Sequence, residues 1–486
     1  MRQLLRKSAG YFAVLGVAAL LLRLCFVLKF AIFQDDGRVY ADLAINWLQH
    51  GVFGMTEAAG VRPSLIRLPG YPGFLAVVWA ITGVEHYRAV LLVQVLVDLG
   101  TCFLVSDLAM RVWRSDRMAK VTFLLAALCP FLANYTACVL PETLAIFFTV
   151  LTLDLAVHAL DSGRLGLWAA CGAALGTGIL VRPDGGILLP VIGGYLLIRG
   201  WSSSGLQDHR AHPAPWLSRA LLLSLVALAP LVPWTIRNWR DFGVLQPLAP
   251  RYAMAPGQFA APGFQRWVKT WIVDYVSVSE IYWQIDGDEI DLTRFPNRAF
   301  DSAEERQTVE LLFAQYNQTC QWTPGLDHQL AGIAEARVAR HPLRYYLWLP
   351  AERIADMWLR PRTEMIGQND RWWEVLHDPP EAPITIVLGT LNLLYVGAAT
   401  LVLGWLLWRA AHGRMARDFS LSGVCVAQYW GLLLAFILVR SLFLGTLENP
   451  EPRYTLECYP LVILFAAGLK TVASGQWSGA GKSRNP

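Results

Sequence analysis

Charge is scarce in this chain. Asp, Glu, Lys and Arg make up 16% of its 486 residues, while 55% are hydrophobic. Soluble domains carry about a quarter charged residues, so a soluble globular class is excluded. The net charge of +4 is too small for a nucleic-acid footprint, and no nucleic-acid partner is expected. Paired cysteine motifs are missing too. The eight cysteines include no CxxC, and Cys25, Cys102, Cys129, Cys171 and Cys425 lie inside apolar runs. Zinc and thiol redox chemistry therefore have no support. The nine histidines are scattered, so no histidine metal site is read. A dinucleotide fingerprint is absent. The tail "GAGKS" (Gly479 to Ser483) lacks the first glycine of a phosphate loop and a helix to follow it, which excludes a soluble nucleotide donor. No cleavable leader is evident: the first apolar run, about Tyr11 to Phe33, is too long for a signal core and has no small-residue cleavage site. No internal repeat appears.

Long apolar runs are what the chain has instead. Several reach the roughly 20 residues needed to cross a bilayer. Lys and Arg in short loops then give the orientation. Arg2, Arg6 and Lys7 precede the first run, placing the N-terminus in the cytoplasm. The stretch Phe74 to Ile81 is too short to cross and reads as interfacial or re-entrant. The next span, Arg88 to Met110, ends in the basic "RVWRSDRMAK". Spans then alternate at 119–137, 140–160, 165–181, 185–198 and 220–236. A long polar segment, Arg237 to Pro383, follows; it is too long for a passive loop and carries helix-like patterns. Further spans come at 384–408, 421–444 and 455–470. The reading is an all-α polytopic membrane protein with about ten spans. Both termini are cytoplasmic. Residues 1–236 form a transmembrane module whose first loop, 34–87, is periplasmic. Residues 237–383 form a mostly helical periplasmic region, 384–472 the C-terminal spans, and 473–486 a cytoplasmic tail.

With this threading the unusual polar residues fall on one face. They are Asp35, Asp36, Arg67, Glu142, Arg182, Asp184, Arg237, Asn238, Glu448, Glu451 and Arg453. Ionisable groups at a membrane boundary are costly and mark function by default. Asp35 and Asp36 stand where the chain leaves the first span. Tyr40, Leu43, Ala44, Trp47 and Leu48 follow at helical spacing, one stripe on which a helix would lie flat on the membrane. A single aspartate would cap that helix; a second is not needed for capping. Glu142 opens a span, where the helix dipole favours a carboxylate. Arg67, Arg182, Arg237 and Arg453 offer forks suited to phosphate oxygens. A carboxylate that takes the proton of an acceptor hydroxyl, beside arginines that stabilise a departing phosphate, makes a group-transfer site.

The motifs "YADLAINWLQHG", "RLPGYPGFLA", "RPDG", "PWTIRNWRDFG" and "EPRYTLECYPLVILFAAG", in that order behind an acidic pair, resemble the GT-C membrane glycosyltransferases. The likeness is strongest to the bacterial protein-mannosyltransferase-like and aminoarabinose-transferase-like branch. It implies a GT-C fold with interfacial helices after the first span. It also implies transfer of a hexosyl or pentosyl group from a polyprenyl-phosphate donor to an acceptor hydroxyl at the periplasmic face of the inner membrane, with inversion. By motif, Asp36 is the base, Asp35 its neighbour and Glu142 an acidic partner. Arg237 and Arg453 contact the donor phosphate, with Arg182 and Arg67 as further contacts. No metal or other cofactor is expected, a divalent cation being the less favoured reading. The acceptor is a glycan, lipid or protein. The alternative is a transporter or flippase of lipid-linked sugars, which Arg23 paired with Asp98 or Asp154 in a central cavity would favour.

Overall fold

The computed structural model describes the chain apart from residues 34, 205–213, 253–257, 286, 369, 376, 378–379, 413–426 and 475–486. The tail motif and the start of the 421–444 run lie outside the described residues. The chain divides into two compact units. Met1–Ala255, Tyr395–Ile437 and Leu456–Pro486 form the first; Pro256–Leu394 and Leu438–Thr455 form the second.

The first unit opens with helices α1 (Arg2–Lys7) and α2 (Ala9–Lys29). The 21 residues of α2 give a rod of about 31 Å, the thickness of a bilayer's hydrocarbon core. Then come α3 (Asp35–His50), a hairpin of β1 (Gly54–Glu57) and β2 (Gly60–Pro63), α4 (Gly70–Thr82), α5 (Tyr87–Trp113), α6 (Asp116–Ala127) and α7 (Pro130–Tyr135). Next are α8 (Glu142–Ser162), α9 (Leu165–Val181), α10 (Leu188–Ser204), α11 (Ala214–Leu228) and α12 (Leu231–Phe242). Among the described residues α2, α5, α8 and Ala382–Ala411 are long and apolar enough to cross a membrane. The pair α11 and α12 makes a fifth if counted as one bent span. Gly70–Thr82, Leu165–Val181 and Tyr429–Gly445 are shorter apolar helices.

Proline explains where an expected continuous span is broken. The run 119–137 is two helices, α6 and α7, with Pro130 opening the second. Proline has no N–H to donate and clashes with the turn before it. The last carbonyls of α6 thereby lose part of their helical bonding, Ala126 O keeping Cys129 N at 3.3 Å. Arg23 of α2, fully buried, fills the gap. Its Nη1 donates to Ala127 O (2.6 Å) and Ala19 O (3.1 Å), and Nη2 to Ala126 O (3.2 Å) and Cys102 Sγ (3.3 Å). Its Nε donates to Asp98 of α5 at 2.6 Å. Arg23 and Asp98 are thus paired, as a transporter reading asked. They are packed into a helix junction, however, with all three guanidinium nitrogens bonded to protein. Pro230 makes the second break, a 41° bend between α11 and α12.

Helix α3 packs differently from the expected flat stripe. Ala41 and Ala44 are buried against Tyr71 and Leu75 of α4. Leu43 is buried with Phe53, Leu65, Leu68 and Trp234. Only Trp47 and Leu48 of the stripe stay exposed. The hairpin is the cause, and periodicity alone did not foresee it. Asn46 Nδ2 donates to Gly54 O and Thr56 Oγ1, both at 3.0 Å. Asp42 accepts from the Thr56 backbone at 2.7 Å. At Gly70 an added Cβ would stand 2.4 Å from the carbonyl carbon of Leu180. The start of α4 is therefore set directly on the end of α9.

In the second unit, helix α13 (Pro262–Val268) packs with helices Ala303–Asn317 and Pro324–Arg340 around Trp267, Trp271, Phe295 and Phe313. The expected helical character of the long segment is present. Asp327, buried at 6% exposure, ties it together. Its carboxylate accepts from Gly263 N (2.8 Å), Phe264 N (2.9 Å) and Trp322 Nε1 (3.1 Å). Asp327→Ala leaves these donors unsatisfied and is expected to cost about 3 kcal/mol. The thermal midpoint of the detergent-solubilised chain should fall clearly, and less for Asp327→Asn. An unchanged midpoint would show that water replaces the carboxylate without penalty.

Candidate active site

The acidic pair opens α3, and a short parallel bridge fixes where it stands. Ile32 pairs with Cys138, Ile32 N donating to Ala137 O (3.1 Å) and Val139 N to Ile32 O (3.4 Å). Gly37 lies so close to the same turn that a Cβ would be 3.0 Å from Val139 O. Gln94 of α5 donates to Cys138 O (2.8 Å) and accepts from the Tyr71 hydroxyl (2.9 Å). The first turn of α3 is thus held by the loop between α7 and α8. Asp35 is its first residue; its side chain lies outside the described residues.

Asp36 Oδ1 accepts from Arg67 Nη2 at 2.8 Å. The two side chains are 35% and 22% exposed, so the pair borders solvent. Arg67 also lies over the Tyr40 ring, 5.6 Å from its centroid. A second cluster is deeper. Arg182 Nη1 donates to Glu142 at 2.7 Å, and Arg182 Nε lies 3.2 Å from Asp184 and 3.7 Å from Glu457. Glu457 also accepts from Thr149 at 3.1 Å. Three carboxylates thus face one guanidinium, and their negative charge is concentrated here. The N-terminus of α8 offsets part of it at Glu142. Both clusters act on one phenol. Burial raises Tyr40 above its ordinary range, and Arg67, Asp36, Glu142 and Arg182 are all felt there. Tyr71 beside it is raised well above the usual value by burial and then by Glu142. Both tyrosines stay protonated, and Tyr71 donates to Gln94.

Asp36, Arg67, Glu142, Arg182 and Asp184 therefore gather in the first unit around Tyr40. Arg237, in the same unit, is differently placed. It donates to Ser64 O and Phe53 O, each at 2.7 Å, and pairs with Asp241 at 2.8 Å. Its guanidinium lies over Phe53, Trp234 and Phe242. It fastens the hairpin to α12, and most of its fork is engaged. Arg453 belongs to the second unit, where it pairs with Glu451 at 2.5 Å. Glu457 was missed on reading the sequence, although "TLECYP" set one carboxylate at the edge of an apolar run. A charge at a span end was the available signal. A cavity of about 10 Å³ is lined by Glu457, Thr149, Thr152 and Gly178. It is below the roughly 300 Å³ of ordinary ligand sites and does not seat a sugar donor.

Residues 63–234 match the family model of dolichyl-phosphate-mannose-protein mannosyltransferases. None of the curated proteins matches the chain. Among solved structures, the chain is similar to the archaeal oligosaccharyltransferase AglB from Archaeoglobus fulgidus in complex with an inhibitory peptide and a dolichol-phosphate. The identity is 11% and the TM-score 0.53, covering 97% of this chain and 51% of that one. The apo form of the same oligosaccharyltransferase gives 11% identity and a TM-score of 0.53 over 96% of this chain and 50% of that one. ArnT from Cupriavidus metallidurans gives 16% identity over 91% of this chain and 78% of that one, with a TM-score of 0.38. The chain spans about half the length of the oligosaccharyltransferase it matches. Its fold is that of the GT-C membrane glycosyltransferases, as the motif order implied.

Proposed function

We propose that this chain, built on the GT-C fold, transfers a sugar from a polyprenyl-phosphate donor to an acceptor hydroxyl. The observation that carries the reading is the pairing of Asp36 with Arg67, partly exposed, beside the buried Glu142–Arg182 cluster. A carboxylate and a guanidinium side by side are the two groups such a transfer needs. Asp36 takes the proton from the acceptor hydroxyl as its oxygen attacks the anomeric carbon. The bond from that carbon to the phosphate oxygen breaks on the opposite face, which inverts the centre. The polyprenyl phosphate leaves with the bonding electrons, and guanidinium N–H groups meet its growing charge. Arg67 links the two events. The arriving phosphate competes with Asp36 for its fork, so donor binding releases the carboxylate to act as base. Glu142, Asp184 and Glu457 hold Arg182 at a fixed depth, and Arg182 is the second phosphate contact. Arg237 acts by holding the hairpin against α12.

The match to a dolichyl-phosphate-mannose family model and the dolichol-phosphate in the AglB structure support a lipid-phosphate donor. The inner membrane, a periplasmic site and cytoplasmic termini belong to the same proposal, as does chemistry without a metal. The test is transfer from labelled polyprenyl-phosphate sugars to a panel of acceptors by the purified chain, with and without EDTA. Arg67→Ala should raise KM for the donor and lower kcat together, by about 10²-fold in kcat/KM. Donor binding without any transfer across the panel would end the transferase reading, and loss of transfer on chelation with the thermal midpoint unchanged would end its metal-free form.

A further inference from the structure

Another group of ionisable side chains lies along α8, away from Glu142. Asp154 and His158 stand on the later turns of that helix, roughly 18 and 24 Å beyond its start at 1.5 Å per residue. Asp107 faces them from α5. His158 Nε2 is 2.8 Å from Asp107 Oδ2 and 3.5 Å from Asp154 Oδ2. One nitrogen or oxygen from each of the three lies within 4.8 Å of the others. Asp154 is only 6% exposed, and its Oδ1 has no hydrogen-bond partner. Asp107 Oδ1 also has none, facing the terminal amine of Met1 at 3.6 Å. A buried carboxylate oxygen left without a partner is costly. Nothing in the transfer chemistry uses these residues.

We infer that Asp107, Asp154 and His158 bind one first-row divalent transition cation, Zn²⁺ or Mn²⁺. One imidazole nitrogen and two carboxylates, with water completing the shell, suit such ions. Ligands about 2.1 Å from a tetrahedral centre stand about 3.4 Å apart, and the observed 2.8 and 3.5 Å bracket that spacing. The neighbouring positive charges have somewhere to go. Arg111 lies 3.4 Å from Asp107 but also 3.2 Å from Asp161. It keeps a counter-charge when a cation takes Asp107. Bound there, the ion fastens α5 to α8.

The test uses the full chain in detergent, stripped with a chelator and dialysed against Zn²⁺ or Mn²⁺. Wild type should retain about one equivalent of metal and gain thermal stability with it. Asp154→Asn and His158→Gln should lose both the metal and the gain. Asp36→Asn and Glu142→Gln should keep both. Equal retention by His158→Gln, or no retention by wild type, would overturn the site. Should the variants fail to fold, imidazole nitrogen coupling in the Mn²⁺ spectrum of wild type answers the same question, and its absence would also overturn it.

Discussion

Asp36→Asn is expected to lower turnover by about 10³-fold while the protein stays folded. The two side chains have the same shape, and the amide oxygen can still accept from Arg67, so the first turn of α3 keeps its place. What disappears is the group that takes the acceptor's proton. The loss should therefore appear in kcat, with KM for the donor nearly unchanged. Asp35→Asn in the same assay should lose far less, because Asp36 is the carboxylate assigned as base and its pair with Arg67 is kept. Thermal midpoints of both variants should match wild type. Turnover by Asp36→Asn within a factor of a few of wild type would remove this carboxylate from the mechanism.

Arg23→Met should be the most damaging single change to stability, at about 4 kcal/mol. It strands Asp98, which is 1% exposed, and it also takes the guanidinium donor from Ala127 O and one of two donors from Ala126 O at the end of α6. Adding Asp98→Leu removes the buried charge and should recover part of the loss. Recovery should stop short of wild type because the guanidinium bond to Ala127 O is still lost. Turnover per folded molecule should change little in either variant. The reading of Arg23 as a helix staple fails if Arg23→Met leaves the unfolding midpoint intact yet abolishes function. That outcome would favour transport of a lipid-linked sugar, with Arg23 and Asp98 on its route.

The sequence made some of this legible for a clear reason. Membrane helices need an unbroken apolar run, so α2, α5 and α8 announce themselves. The short run before Ile81 was visible as too short to cross, and it is the 13-residue α4. Charges at the ends of apolar runs are rare enough to stand out, which brought Asp36, Arg67, Glu142 and Arg182 into one set. Prolines 130 and 230 were also in plain view. Reading hydropathy in windows averaged over them and turned two broken helices into continuous spans.

Partnership was not legible, because a pairing between distant residues leaves no local trace. Arg237 reads as a phosphate ligand from its place beyond a span; that its fork bonds the carbonyls of Phe53 and Ser64 had no sign in the sequence. The hairpin those carbonyls belong to had no alternating apolar pattern to reveal it. Glu457 joins Glu142 and Asp184 at Arg182 only because the chain returns to the first unit after its excursion through the second. The cluster of Asp107, Asp154 and His158 arises where two separate helices pass. The sequence by itself determined that this chain lives in a membrane, that it is helical and where its costly charges stand, because burial in lipid constrains each segment locally. Which charge answers which was decided by the tertiary structure alone, because an ion pair depends on distance in space and is blind to distance along the chain.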